Sequence, residues 1–168
     1  MNLQNYYYYF KSAITPRFCD ELIKYGKSKS DDLALTGNAQ NKKLDEKAIK
    51  DLKKKRNSNI VWLDERWVYK EIQPYVHRAN QEAGWNFQWD FSEPCQFTKY
   101  KKGQYYGWHC DSWDQPYQRQ QGDPTHGKTR KLSVTVTLSD PKDYKGGELE
   151  FDFRNLDPDK KRNVKKCT

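Results

Sequence analysis

The spacing of apolar residues changes period along the chain, and each change predicts an element. Residues 6–10 are almost all aromatic and read as a short strand. Thr15 followed by Pro16 has the form of a helix start, a capping hydroxyl before a residue whose fixed φ suits the first turn. Phe18, Leu22, Ile23 and Tyr25 then recur on one helical face, and Gly26 is the expected stop. Residues 27–40 are polar, interrupted by Gly37, and read as a loop. Residues 41–55 predict a short charged helix with a thin apolar side of Leu44, Ala48, Ile49 and Leu52. Residues 59–63 (NIVWL) read as a buried strand. From residue 64 a further amphipathic helix turns Trp67, Val68, Ile72, Tyr75, Val76 and Ala79 inward, with Pro74 expected to kink or restart it and Gly84 to end it.

After Gly84 the period falls to two. Trp85, Phe87, Trp89 and Phe91 alternate with Asn86, Gln88 and Asp90, the pattern of a half-buried strand. Residues 95–100 continue in strand style, 101–103 (KKG) turn, and 105–111 form the expected returning strand. Residues 112–129 are a loop rich in Gln, Gly, Pro and Asp. Residues 131–139 (KLSVTVTLS) alternate most regularly, with Leu132, Val134, Val136 and Leu138 on one side and Ser133, Thr135, Thr137 and Ser139 on the other. Residues 148–153 alternate again after a turn. Short strands following helices predict an α+β fold in which N-terminal helices support a sandwich or a double-stranded β-helix, the jelly-roll. There is no internal repeat.

A length of 168 residues suits one domain: helical support over about 1–84, a β core over about 85–153 and a basic tail at 154–168. Six Trp, twelve Tyr and seven Phe point to a core containing polar N–H and O–H groups rather than a tight helical bundle. The net charge of +8 raises nucleic acid as a partner, but the excess sits largely in 41–56 and 160–166, blocks of the kind that form solvated faces and loose ends. No nucleic-acid-binding motif accompanies it. Cys19, Cys95, Cys110 and Cys167 make no CxxC pair, which argues against a zinc knuckle. No leader-like or membrane-length apolar run is present, so a cytoplasmic setting with free thiols is the expectation.

The candidate chemistry is His109-Cys110-Asp111 at the end of an expected strand. Strand residues two apart face the same way, so an imidazole and a carboxylate project together. With a second His from elsewhere they would form the 2-His-1-carboxylate set of non-haem Fe(II) oxygenases, which leaves coordination positions open for a cosubstrate and O2. An H-x-D triplet alone is weak, since a surface His beside an Asp is common.

Its surroundings add to it. Tyr100-x-x-Gly103 precedes the triplet, Arg130-x-x-Ser133 opens the alternating stretch downstream, and Gly146-Gly147-Glu148-Leu149 follows. The series YKKGQYYGWHCD, RKLSVTVTLSD and GGELEF resembles the prolyl 4-hydroxylase-like branch of the 2-oxoglutarate/Fe(II) dioxygenases, the PKHD-type hydroxylases in particular. The resemblance is closest over residues 97–153 and extends loosely to ITPRFCDELI near the N-terminus. It implies His109 and Asp111 as Fe(II) ligands and Tyr100 as a hydroxyl holding 2-oxoglutarate, with O2 as the oxidant and ascorbate as an accompanying reductant. Trp108, Trp113 and Arg130 are the candidates for a substrate groove, each weighed against plain packing or an exposed strand-end role. The implied reaction is hydroxylation of a C–H bond in a peptide or small molecule, peptidyl proline being the branch's commonest association.

The resemblance also implies residues not found here. A distal His and a 2-oxoglutarate-binding Arg or Lys are expected on strands after GGEL, where this chain reaches Thr168. His77 and His126 precede that turn and do not match the distal position. A jelly-roll lacking its last strands would favour a second polypeptide completing the fold, with weak iron binding and little turnover by this chain alone. A non-catalytic jelly-roll binding module is the alternative reading, and a basic nucleic-acid-associated protein the third.

Overall fold

The structure is a computed structural model that describes residues 6–29, 32–33, 46–152 and 164–167. It divides into two compact units, residues 1–138 and 139–168.

In the first unit, helix α1 (Pro16–Ser28) begins as its sequence predicts, with the Thr15 side-chain oxygen accepting from the Phe18 N–H at 3.3 Å. It does not stop at Gly26. That residue lies inside the last turn, where its missing side chain lets Phe97 approach. Strand β1 (Asp32–Leu33) and helix α2 (Glu46–Lys55) follow, then β2 (Arg56–Asn57) and β3 (Asn59–Leu63). The expected helix start at 41–45 and most of the expected loop at 27–40 lie outside the described residues. Helix α3 (Arg66–Glu82) runs continuously through Pro74, so the proline does not restart it.

Strands β1, β3 and β4 (Cys95–Lys99) form an antiparallel sheet in that order, with Val61 opposite Phe97 and Leu63 opposite Cys95. Alternate residues face alternate sides. Val61, Leu63 and Phe97 thereby meet Leu22 of α1 and Val68 of α3 in the core, with Phe18, Tyr25 and Ile72 packed around them. Trp67 closes this layer with edge contacts to Phe18 and Tyr25 at 5.3 and 5.8 Å. Leu63 is 1% exposed, and its truncation to Ala would remove about 2–5 kcal/mol of stability.

Two expected strands form no ladder among the described residues, and Asn86 in the first of them takes a positive φ of 52°. In 85–90 the alternation of exposure is as expected, yet the backbone of Phe87 is held by a side chain. Asn80 of α3 accepts from the Phe87 N–H at 3.0 Å and donates to its C=O at 2.9 Å, supplying what a neighbouring strand would. In 131–138, Leu132, Val136 and Leu138 are half-buried, whereas Val134 is 56% exposed. Residues 6–10 are likewise irregular. Strand β5 is only Tyr105–Tyr106, paired antiparallel with β2.

The second unit contains a 3-10 turn at Pro141–Asp143 and an antiparallel pair, β6 (Leu149–Asp152) with β7 (Val164–Cys167). The expected basic tail therefore includes a strand, and 153–163 lie outside the described residues. Helices and short antiparallel sheets together make an α+β arrangement. A jelly-roll is not shown by the described residues. No helix among them is long and apolar enough to cross a membrane.

Candidate metal centre

Strand β4 delivers the chain to a turn at 100–104, where Gly103 takes a φ of +77° that a side chain would resist. Gln104 locks this turn. Its Oε1 accepts from the Lys101 N–H at 2.6 Å, and its Nε2 reaches Asn57 and Asn59 at 3.4 and 3.3 Å. The returning strand β5 pairs Tyr106 with Arg56, and the Gly107 N–H donates to the Lys55 C=O at 2.8 Å. A Cβ on Gly107 would sit 3.2 Å from that same carbonyl oxygen, so the close approach suits glycine.

The strand expected to run to Asp111 ends at Tyr106. His109 instead folds back, its Nδ1–H donating to the Gly107 C=O at 2.8 Å. That bond leaves Nε2 facing forward, and it lies 3.0 Å from Asp111 Oδ1. The two side chains converge, although an irregular bend and not the expected strand brings them together.

Asp111 is held from two further sides. Ser133 donates to its Oδ2 at 2.5 Å, and Arg130 Nη1 donates to its backbone C=O at 2.7 Å. Arg130 is itself fixed by Glu93, with Nε and Nη2 at 2.7 and 2.5 Å from one carboxylate oxygen. Ser112 Oγ completes the link by donating to the Arg130 C=O at 3.1 Å. The hydrogen bond from His109, helped by Ser133 and Arg130, lowers the Asp111 carboxyl to about 2 against the opposing effect of burial. The same bond to Asp111 raises the His109 imidazole, while burial opposes it.

The imidazole also stacks on Tyr106, centroids 3.6 Å apart and planes 14° from parallel. Burial pushes the Tyr106 phenol up, with Asp111 and Tyr100 nearby adding to this and Arg56 acting against it. Tyr100 itself is exposed at the end of β4, and Trp108 and Trp113 are exposed on either side of the pair in sequence. Arg130, a candidate for the substrate groove, braces the Asp111 backbone and is anchored by Glu93. His77 stacks on Trp89 at 4.4 Å, and His126 bonds through Nδ1 to the Arg119 C=O at 2.6 Å, so each is engaged elsewhere.

Sequence reasoning assigns no role to Ser133 or Tyr106, although Ser133 stands in the Arg130-x-x-Ser133 motif. The signal for Ser133 is its three-residue spacing from Arg130, which lets one segment touch both the carboxylate and the backbone of Asp111. Glu93 carries no local signal.

An imidazole nitrogen and a carboxylate oxygen 3.0 Å apart are suited to sharing a cation. A proton fits there, and so does a divalent metal, because two donors about 2.1 Å from one ion at right angles are about 3 Å apart. Nitrogen with oxygen suits Fe, Mn and Zn alike. The pair thus fits two positions of a metal site. Among the described residues no group of three or more His, Cys, Asp or Glu side chains is placed to hold a metal.

A converging imidazole and carboxylate occur in non-haem metal enzymes and also in many simple metal-binding proteins. Residues 95–166 match the model of one such family, the 2OG-Fe(II) oxygenase superfamily, whose members normally use Fe(II), 2-oxoglutarate and O2. No curated protein and no solved structure matches the chain at a significant level.

Proposed function

We propose that this chain carries the metal-binding part of a 2-oxoglutarate-dependent Fe(II) oxygenase of the prolyl 4-hydroxylase-like branch, built on a jelly-roll and acting on a C–H bond of a peptide or small molecule. The observation that carries this reading is the convergence of His109 Nε2 and Asp111 Oδ1, each fixed from behind by a separate hydrogen bond. The family match over residues 95–166 supports it. In this reading His109 and Asp111 hold the metal, and the Tyr100 hydroxyl donates to the bound 2-oxoglutarate. The exposed indoles of Trp108 and Trp113 flank the pair in sequence and exclude water once substrate lies across them. When bound, Fe(II) with 2-oxoglutarate and O2 supplies oxidative hydroxylation coupled to loss of CO2, with ascorbate as a reductant that keeps the iron ferrous.

Anaerobic calorimetric titration with Fe(II), in the presence and absence of 2-oxoglutarate, tests this. His109→Ala and Asp111→Ala should each weaken metal binding at least about 100-fold, comparable with the largest effect expected from a supporting residue. Tyr100→Phe should weaken only the 2-oxoglutarate step. Metal affinity indifferent to both ligand substitutions refutes the reading.

A second reading, a non-catalytic binding module, is favoured by the exposed aromatics Tyr100, Trp108 and Trp113 clustered in sequence around the pair. It requires that ligand capture survive His109→Ala.

A further inference from the structure

The basic run at 41–56 ends in a residue unlike its neighbours. Lys53, Lys54 and Lys55 are exposed on α2, but Arg56 is 5% exposed at the head of β2. Residues directly opposite on paired strands share a face, and Arg56 lies opposite Tyr106. Its guanidinium carbon sits 4.3 Å from the centre of the Tyr106 ring, whose stacking on His109 has been described. A column runs from guanidinium through phenol to imidazole.

The guanidinium is incompletely satisfied. Nε donates to Ser58 Oγ at 3.0 Å, and Nη1 makes a long bond of 3.4 Å to Gln96 Oε1. Nη2 is buried and has no acceptor among the described residues. No carboxylate among the described residues pairs with Arg56. An arginine keeps its charge at any ordinary pH, and a buried cation left without a counter-charge is strongly unfavourable. Glu65 also has an oxygen without a partner, but its other oxygen is held by Tyr25 and lies 3.7 Å from the Lys29 ammonium. Among the described residues Arg56 has nothing equivalent.

The geometry points to Arg56, with Gln96 and Tyr106, as a subsite for the carboxylate of a small dicarboxylic 2-oxo acid whose other end lies at the His109–Asp111 metal. This rests on the proposed function and assigns the counter-charge for the cosubstrate to an N-terminal strand. The guanidinium fork suits a carboxylate through two parallel bonds. Gln96 is exposed, and its long bond to Nη1 is the one a carboxylate would replace. The reach is adequate for a diacid that passes the edge of the Tyr106 ring. The spacings of 4.3 and 3.6 Å, laid end to end, bound the gap from guanidinium to imidazole. A five-carbon diacid spans about 5 Å between carboxyl carbons, and a hydrogen bond adds about 3 Å.

The test compares wild type, Arg56→Gln and Arg56→Lys, each confirmed folded by circular dichroism. 2-Oxoglutarate, pyruvate and glutarate are titrated by calorimetry into the chain with and without Co(II). In wild type with Co(II), 2-oxoglutarate should bind at least about 10-fold more tightly than pyruvate, which lacks the second carboxylate. Arg56→Gln should erase that preference while leaving Co(II) and pyruvate binding within about twofold, and Arg56→Lys should recover part of it. Equal affinity for 2-oxoglutarate in wild type and Arg56→Gln overturns the assignment. So does a loss of 2-oxoglutarate and pyruvate in equal measure, or no binding of any diacid by wild type. If glutarate binds in an Arg56-dependent way while Co(II) ignores His109→Ala, the anion subsite stands and the metal reading falls.

Discussion

Gly26→Ala sets two opposing effects against each other at the junction of α1 and β4. Helix propensity alone favours the substitution by up to about 1 kcal/mol, since glycine in a helix interior loses the most backbone freedom. The added methyl, however, would lie 2.6 Å from Cδ1 and Cε1 of Phe97 and 2.7 Å from its Cγ. Ordinary carbon contacts are about 3.5–4.0 Å, so the ring or the helix must shift by about 1 Å. Neither moves freely. Phe97 is 9% exposed among Leu22, Val61, Leu63 and Val68, and its backbone is tied to β3 by the ladder. Overpacking of this kind costs about 1–3 kcal/mol, so the clash outweighs propensity and a net loss of about 1–2 kcal/mol is expected. Urea unfolding followed at the helical circular-dichroism band measures it, with the midpoint falling at unchanged slope. The same change made in a Phe97→Ala background should reverse sign, because the space is then open and only propensity remains. A stabilising Gly26→Ala in the otherwise wild-type chain, or the same effect in both backgrounds, would show that the helix and strand do not meet as described.

Three further outcomes follow from other contacts. Ser133→Ala removes the donor to Asp111 Oδ2 and should weaken Co(II) binding about 10-fold, whereas Ser133→Thr keeps the hydroxyl and should stay near wild type; calorimetric titration distinguishes them. Asn80, 8% exposed, holds both backbone groups of Phe87, so Asn80→Ala should destabilise the fold by about 2–3 kcal/mol in urea unfolding, with protection of the Phe87 amide against hydrogen exchange lost. Glu65 is held below the usual carboxylate range, first by the Tyr25 hydroxyl; its stabilising contribution is therefore complete above its unfolded value of about 4.3 and is lost as pH falls through the lower folded value. Tyr25→Phe should thus cost stability at neutral pH by an amount that shrinks on acidification, read from thermal midpoints across the acid range.

What the sequence makes legible, and what it hides, follows from which interactions are local. The Thr15 cap, the buried strand at 59–63 and the strand at 95–99 rest on residues near one another in sequence, and their patterns carry over directly. Alternation at 85–90 and 131–138 reports correctly that one side is more buried, but a ladder also needs a neighbouring backbone. For Phe87 that neighbour is the side chain of Asn80, which no period reveals. Gly26 reads as a helix stop when only its own conformational freedom is considered, and the reason for glycine there is Phe97, far away along the chain. At the site, the H-x-D triplet is local and legible. Its supports come from Glu93, Arg130 and Ser133, whose meeting depends on the tertiary fold.

The conflicts between local rules and this structure gather around the pair. His109 and Asp111 converge outside any ladder, large aromatics beside them in sequence stay exposed, and Arg56 is buried without a counter-charge among the described residues. Each works against the stability of the isolated chain, and each is relieved by the same kind of event. On the proposed reading, a divalent cation would replace the proton between imidazole and carboxylate, an anion would satisfy Nη2, and a substrate would cover the indoles. Sites that depart from local rules are where binding function is expected. The order of relief also follows from charge. His109 and Asp111 together carry no net charge while the proton remains, and a metal adds positive charge beside the already cationic Arg56. A dicarboxylate that reaches both the metal and Arg56 is attracted by each charge, so each of the two ligands favours the other. Metal and dicarboxylate should each tighten the other's binding by the same factor, as linkage requires. That equality is measurable in both directions on one preparation.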